Sequence, residues 1–398
     1  MAGDESDDPR QERPNRGLAT RLIHPLAQAS HEFVGLNSPL HRASTVVFPT
    51  LADVCDSDPV GRRYSYGLSG TPTTRELEAR LETIEGAARV LLAPSGLAAI
   101  SLTYLALCHA GSHVLVPQSA YGPNGRLAHG VMRRFGVTLE RYDPMIGAGI
   151  AELIRDDTAL IWCESPGSIT MEVQDIFAIC AAATDRDVPV AVDNTYAAGV
   201  LFNPLDHGAA VSVQALTKYQ AGHGDVLMGS VAARDADVVR LLGEAHLQLG
   251  LGVSPDDCAL VLRGLLSFPL RLKHIGEAAL DIAHWLKARP EVEAVLHPAL
   301  PDCPGHEYWR RDFTGSAGVF SFIARDWNWA QVEMFVNSLE LFKIGFSWGG
   351  AVSLALAYDD LQRPTPEAGQ RLIRLSIGLE DIADLKADLA LAFAKSTA

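Results

Sequence analysis

Residues 188–230 constrain the fold more than any other stretch: VPVAVDNTYAAGVLFNPLDHGAAVSVQALTKYQAGHGDVLMGS. It contains two short apolar, β-branched runs, Val188–Val192 and Val211–Val213. The first ends on Asp193 and the second leads through Ala215-Leu-Thr217 to Lys218. Continuous apolar runs bounded by polar and turn residues read as strands buried on both faces, the pattern of a parallel sheet. In open α/β sheets, functional groups collect just beyond the carboxyl ends of such strands.

Taken singly, each residue has an ordinary explanation. An aspartate after a strand commonly caps a helix, and a lysine there is commonly solvated. Their pairing points elsewhere, because Gln220-Ala-Gly-His-Gly-Asp225 follows the lysine with two glycines that allow close backbone approach to a ligand. A lysine in apolar surroundings has a lowered pKa suited to Schiff-base chemistry. A Schiff-base lysine with an acidic partner for the pyridine nitrogen is the arrangement that holds pyridoxal 5'-phosphate (PLP).

The remaining chain supplies the rest of such a sheet. Leu18 to Gly61, broken by Pro25, Pro39, Pro49 and Pro59, reads as an irregular arm packed on another surface, such as that of a second subunit. Thr73 or Thr74 can cap a helix from Arg75 to Ile84. Ala88–Ala93 reads as a strand, and Pro94-Ser-Gly-Leu-Ala after it as a helix start with free N–H groups, either an anion site or a plain cap at Ser95. His113–Pro117 and Leu160–Cys163 are further strands, and Ile176–Thr184 a helix. Strands alternating with helices from Ala88 to Ser230 imply a doubly wound parallel sheet. Past Val231 the chain turns helical and then mixed, with alternating runs at Gly318–Ile323 and Leu372–Ile377 and an amphipathic stretch at Trp329–Leu339, which predicts a smaller α+β C-terminal domain. The expected division is 1–65 leader and arm, 66–262 the α/β domain and 263–398 the C-terminal domain.

Composition removes several classes. A net charge of −15 argues against nucleic acid as partner. The six cysteines are widely spaced without a C-x-x-C pair, which argues against a zinc site or a disulfide framework. No apolar run is long enough for a membrane span, and Met1–Arg16 lacks the apolar core of a signal peptide, so a disordered leader on a cytoplasmic protein is expected. A dinucleotide fingerprint is absent, since neither Pro94-Ser-Gly nor Gly147-Ala-Gly149 completes G-x-G-x-x-G, which disfavours a nucleotide-dependent oxidoreductase.

With these pieces placed, ESPGSITMEVQDI, VDNTYAAGVLFNPLDHG, QALTKY, FSWGG and LIRLSIGLEDIADL together resemble the PLP-dependent enzymes of cysteine and methionine metabolism, most of all the bacterial cystathionine β-lyases, from about Leu18 to the C-terminus. The resemblance implies the fold type I architecture of PLP-dependent transferases, with a mainly parallel, seven-stranded-type sheet in the large domain. It implies that Lys218 holds PLP covalently and moves the substrate Cα proton, and that Asp193 pairs with the pyridine nitrogen. Tyr121 would stack on the ring, while the Gly96 and Leu97 amides and the Thr217 hydroxyl would take the phosphate. Tyr66 would reach a neighbouring subunit's cofactor, making the protein a homo-oligomer, a dimer of dimers. Arg374 would clamp the α-carboxylate of a small sulfur amino acid, with Ser347 and Trp348 on the substrate side. The implied reaction is β-cleavage of cystathionine to homocysteine, pyruvate and ammonia.

Two positions depart from relatives, and a third discriminates among them. Leu68 stands where an arginine usually follows the phosphate-binding tyrosine by two residues, with Arg62 or Arg63 as candidate substitutes. Ala215 replaces a serine or threonine. Ser168 stands where γ-lyases and γ-synthases carry asparagine, which favours the β-lyase reading. The competing expectations are γ-elimination or γ-replacement on the same scaffold and a regulatory PLP-binding protein; the latter has no need of a carboxylate clamp at Arg374. His207, His223, Tyr64 and Trp162 read as structural, and Glu164 as a partner behind the site.

Overall fold

The computed structural model describes residues 17–23, 35–54, 63–358, 361 and 371–396. The expected leader, Arg62 and Cys55 lie outside these residues. Strands β1 (Arg89–Ala93), β2 (His113–Pro117), β3 (Thr138–Tyr142), β4 (Thr158–Glu164), β5 (Val190–Asp193), β6 (Val211–Gln214) and β7 (Gly229–Ala233) form one sheet in the order β1-β7-β6-β5-β4-β2-β3. The pairs β2–β3, β2–β4, β4–β5 and β5–β6 are parallel. Strand β7 runs antiparallel to both β1 and β6. The sheet is therefore mostly, not wholly, parallel. The reason is local: no helix separates β6 from β7, and a parallel neighbour needs a crossover.

Alternate residues of the central strands feed two cores, as the pleat requires. Val114, Val116, Leu160, Trp162 and Ala191 pack into one apolar cluster. Leu115, Ile161, Cys163, Val190 and Val192 pack into another. Burial on both faces is why these strands read as unbroken apolar runs.

The helices are α1 (Leu18–Ile23), α2 (Pro72–Glu85), α3 (Gly96–Leu107), α4 (Gly122–Leu127), α5 (Ile176–Thr184), α6 (Ala236–Gln248), α7 (Pro255–Leu265), α8 (Phe268–Lys287), α9 (His306–Asp312), α10 (Trp329–Ser338) and α11 (Ile382–Ser396). Helix α2 begins earlier than Thr73 or Thr74 would place it. Thr71 is its N-cap and Pro72 occupies the first turn, where a missing N–H costs nothing. A second sheet, β8 (Val292–Leu296), β9 (Val319–Ala324), β10 (Lys343–Ile344), β11 (Leu354–Tyr358) and β12 (Leu372–Ser376), has the order β10-β11-β12-β9-β8. Its strands β9 and β12 are buried throughout, so their sequence alternation does not mark a solvent face. Helix α8 joins the two halves. Phe268, Leu272 and Ile275 belong to the core that includes α2, while Ala278, Ala279, Ile282 and Leu286 belong to the core under the second sheet.

The arm is less irregular at its start than expected, since Leu18–Ile23 forms one helical turn with Leu22 buried. Residues 35–54 are otherwise mostly extended or bent, and Thr45 bridges Tyr66. Among the described residues no helix is long and apolar enough to cross a membrane, and no His/Cys/Asp/Glu group could hold a metal.

Candidate active site

Asp193 ends β5 and Lys218 lies just past β6, on neighbouring strands whose register sets Asp193 beside Val213. Desolvation raises the Asp193 pKa, and three groups oppose it: the Thr195 hydroxyl, the Thr195 amide and the Lys218 ammonium. The hydroxyl's bond is short, 2.6 Å from Thr195 Oγ1 to Asp193 Oδ1, and the amide's is of ordinary length, 3.1 Å from Thr195 N to the same oxygen. Desolvation acts oppositely on the lysine. Burial lowers the Lys218 pKa to about 8, Arg374 adds to the lowering, and Asp193 resists it. About one tenth of the amine is therefore neutral at pH 7, a few hundredfold more than for an ordinary lysine, as Schiff-base chemistry demands.

The second sheet closes the site over this pair. Lys218 Nζ donates to Ser347 Oγ at 3.1 Å and lies 5.2 Å from the centre of the Trp348 ring. Trp348 in turn packs on Tyr219, ring centres 5.3 Å apart. Gly349, with φ +82°, lets the loop press on the lysine backbone; a Cβ there would sit 3.1 Å from the Lys218 carbonyl carbon. Arg374, on β12 and 7% exposed, donates from Nη2 to the Phe346 carbonyl at 2.8 Å, with the Gly345 and Ser347 carbonyls at 3.2 and 3.3 Å. Its buried Nε has no partner. Desolvation also lowers the arginine's pKa. A fixed, desolvated guanidinium with an unused donor is suited to receive a carboxylate.

Tyr121 caps α4 and is held by its backbone, whose N–H donates to Glu164 Oε2 at 2.6 Å. Glu164 ends β4 directly beside Asp193 in the parallel register. The Tyr121 phenol has a raised pKa, first through desolvation and then through Asp193 and Glu164, with Arg126 and Arg374 opposing. These interactions gather Tyr121, Asp193, Lys218 and Arg374 in one site. The α3 N-terminus adjoins it. Ser95 caps α3 by accepting from Ala98 N at 3.0 Å, and a Cβ on Gly96 would approach the Ala215 Cβ to 2.7 Å, so only glycine permits this packing. The Thr217 hydroxyl is held between the amide and carbonyl of Met228, at 3.1 and 3.2 Å.

One predicted member, Tyr66, and the departing position, Leu68, take no part in these contacts. Tyr66 is 54% exposed and anchored through its backbone bridge to Thr45. Leu68 turns toward Gly252, where a Cβ would meet its Cδ1 at 3.2 Å, and lines a small cavity with Arg75, Glu78 and Arg89. Arg63 is exposed. His223 bonds the Ala221 carbonyl, His207 stacks on Phe202, and Trp162 stacks on Tyr104; these side chains are engaged in packing. Sequence reasoning gave no part to Thr195. The signal was available: Asp-x-Thr after a strand is an Asx-turn pattern, in which the carboxylate accepts from the residue two positions on.

PLP fits these groups: a depressed lysine, a desolvated carboxylate beside it, an open helix start packed against the lysine segment, and an orphaned buried guanidinium donor. Comparison with known proteins agrees. The family model described as Cys/Met metabolism PLP-dependent enzyme matches residues 19–394. A protein of Rhizobium johnstonii is 44% identical over 96% of this chain and 98% of its own length. The cystathionine beta-lyase MetC of Escherichia coli is 38% identical over 96% of this chain and 99% of its own. A solved structure of cystathionine gamma synthase from Xanthomonas oryzae, in complex with aminoacrylate and cysteine, superposes with a TM-score of 0.88 at 30% identity, covering 96% of this chain and 99% of that one. The fold is fold type I, the cofactor is PLP, and the chain belongs to the PLP-dependent enzymes of cysteine and methionine metabolism.

Proposed function

We propose that the chain is a carbon–sulfur β-lyase that cleaves L-cystathionine, with one water, to homocysteine, pyruvate and ammonia. The observation that carries this reading is the near full-length similarity to a relative named as a cystathionine beta-lyase. Ser168, at the position where the γ-enzymes carry asparagine, supports it. When bound, PLP supplies an electron sink for negative charge developing at the substrate Cα.

The chain's own residues divide the remaining work. Lys218 holds the cofactor covalently, and its Nζ carries the proton taken from Cα, a task suited to a pKa of about 8. Asp193 would face the ring nitrogen and keep a proton there, and Tyr121 would pack against the ring. The Gly96 and Leu97 amides, at the start of α3, hold the phosphate together with Thr217. Arg374 orients the substrate through its α-carboxylate, and Ser347 and Trp348 shape the side from which the thioether enters. Tyr66 serves the site of a neighbouring subunit. This assigns 66–262 as the cofactor domain and 263–398 as the domain that closes over it, in a cytoplasmic homotetramer. The arm supports assembly, because Leu36, Val47 and Leu51 are 96%, 86% and 88% exposed in the single chain. An active monomer by light scattering would overturn the assembly.

The second reading is γ-chemistry on the same scaffold, favoured by the likeness to the Xanthomonas gamma synthase. One assay separates the two. Pyruvate with homocysteine from cystathionine means β-cleavage; 2-oxobutyrate with cysteine means γ-cleavage and defeats the proposal.

A further inference from the structure

The hydroxyl of Thr195 is saturated in a particular way. It donates to Asp193 Oδ1 at 2.6 Å and accepts from the Ala215 amide at 2.9 Å. Ala215 follows β6 and stands three residues before Lys218, and its side chain fills the space beside Gly96 at the start of α3. One side chain, 7% exposed, thus links the carboxylate on β5 to the segment carrying the lysine and, through it, to the helix start. The β-ladder cannot make this link, since β5–β6 pairing ends at Asp193 and Val213.

We propose that Thr195 is a positioning residue for the reaction: by relaying the Ala215 N–H to Asp193 it holds that carboxylate ionised and aimed at the cofactor's ring nitrogen. The inference rests on the assignment of Asp193 to that nitrogen. The groups facing Asp193 make the need for such a relay plain. Lys218 comes from the segment after β6, Tyr121 from the cap of α4, and Glu164 from the adjoining strand β4. Only the lysine among them favours a charged Asp193. Glu164 is a second carboxyl on the neighbouring strand, and burial works against ionisation. The two bonds from Thr195 act against burial, and both reach the same oxygen.

The test is the affinity of apo-enzyme for PLP as a function of pH, read by absorbance titration, for wild type, Thr195→Val, Thr195→Ser and Asp193→Asn. Valine keeps the shape and removes the hydroxyl. Its expected effect is about a tenfold to hundredfold loss of affinity, the usual value of one hydrogen bond to a charged group. The acid limb of binding should also move to higher pH, because Asp193 without the hydroxyl takes up its proton sooner as pH falls. Serine should restore both. A purely structural role would lower affinity equally at every pH and leave the limb in place. That result, or a valine variant indistinguishable from wild type, overturns the proposal. Asp193→Asn keeps the two failures apart: if it too binds like wild type with an unchanged limb, the assignment of Asp193 itself is wrong.

Discussion

Lys218 Nζ donates to Ser347 Oγ at 3.1 Å across 129 residues of sequence, so the lysine of the large sheet is met by a hydroxyl from the loop before β11. The contact closes the second sheet over an amine whose titration is set by burial and by Arg374. An ordinary lysine has a pKa of about 10.4, whereas Lys218 sits at about 8 through burial first and Arg374 second. Its rate of PLP capture in apo-enzyme should therefore rise with pH around a midpoint near 8, because only the neutral amine attacks. Ser347→Ala removes an acceptor that favours the charged form, and the midpoint should fall by up to about one pH unit. Stopped-flow absorbance over pH 6–11 measures both. A wild-type midpoint above 10 would show that the amine is not desolvated.

Arg374 places one nitrogen on three backbone carbonyls and leaves Nε unpaired. Arg374→Lys keeps the charge and loses the fork. The KM for cystathionine should rise about tenfold to hundredfold, the equivalent of one charge-assisted hydrogen bond of about 1.5–3 kcal/mol, with PLP affinity unchanged. Arg374→Ala should do more, since the carbonyls of Gly345, Phe346 and Ser347 lose their donor and the loop carrying Ser347 loosens. Steady-state kinetics with PLP titration separates the outcomes. Equal damage to PLP binding would place Arg374 on the cofactor instead of the substrate.

Glu85 supplies a pH-dependent term remote from the chemistry. It is 1% exposed, and burial raises its pKa to about 7, against weaker opposition from Ser212 and Arg234. Gln214 donates to one of its oxygens, while the other oxygen is buried without a partner. The native carboxyl binds its proton more tightly than the unfolded one. The stabilisation is therefore complete below the ordinary carboxyl pKa, declines as pH rises toward 7, and is gone above it. Glu85→Gln lacks this slope and should be more stable than wild type at pH 8, by up to about 3 kcal/mol for a shift of this size. Urea unfolding at pH 5 and pH 8 measures it. Equal pH slopes in the two proteins would mean that Glu85 is ionised in the native state.

The parts of this molecule that could be read from its sequence share a physical cause. Val190, Val192, Val211 and Val213 are buried on two faces, so the strands announce themselves, and Asp193 and Lys218 follow because chemistry gathers at strand ends. Strand β3 escaped because it is the sheet edge; Thr138-Leu-Glu-Arg-Tyr142 carries charges that an edge tolerates and that hide the apolar pattern. Strand β7, Gly229-Ser-Val-Ala-Ala233, is built of small residues because the α3 start presses on it; a Cβ on Gly229 would lie 2.4 Å from the Ser95 carbonyl. Thr195 is legible only in part, through its Asx turn with Asp193. Its second partner is an amide on a different strand, and nothing in Asp-Asn-Thr foretells which amide that is.

Leu68 offers the sharpest disagreement between likeness and geometry. If residue 68 pointed at the cofactor phosphate, restoring the arginine of its relatives would tighten PLP about tenfold to hundredfold. Leu68 instead faces Gly252 and a small, partly open cavity of about 30 Å³, lined also by Arg75, Arg89 and Glu78. Glu78 Oε2 is already taken by both arginines, each at 2.8 Å. A third guanidinium there would join two that already share one carboxylate oxygen, in little room. Overpacking of this kind costs about 1–3 kcal/mol, and the like charges add to it. Leu68→Arg should accordingly lower the thermal midpoint by several degrees without tightening PLP, while Leu68→Met, which keeps the volume, should leave both unchanged. Scanning calorimetry and PLP titration of the two variants provide the check. Tighter PLP with an unaltered midpoint for Leu68→Arg would mean that the turn swings residue 68 toward the phosphate in the assembled enzyme, and that the anchor missing from this chain was lost by substitution alone.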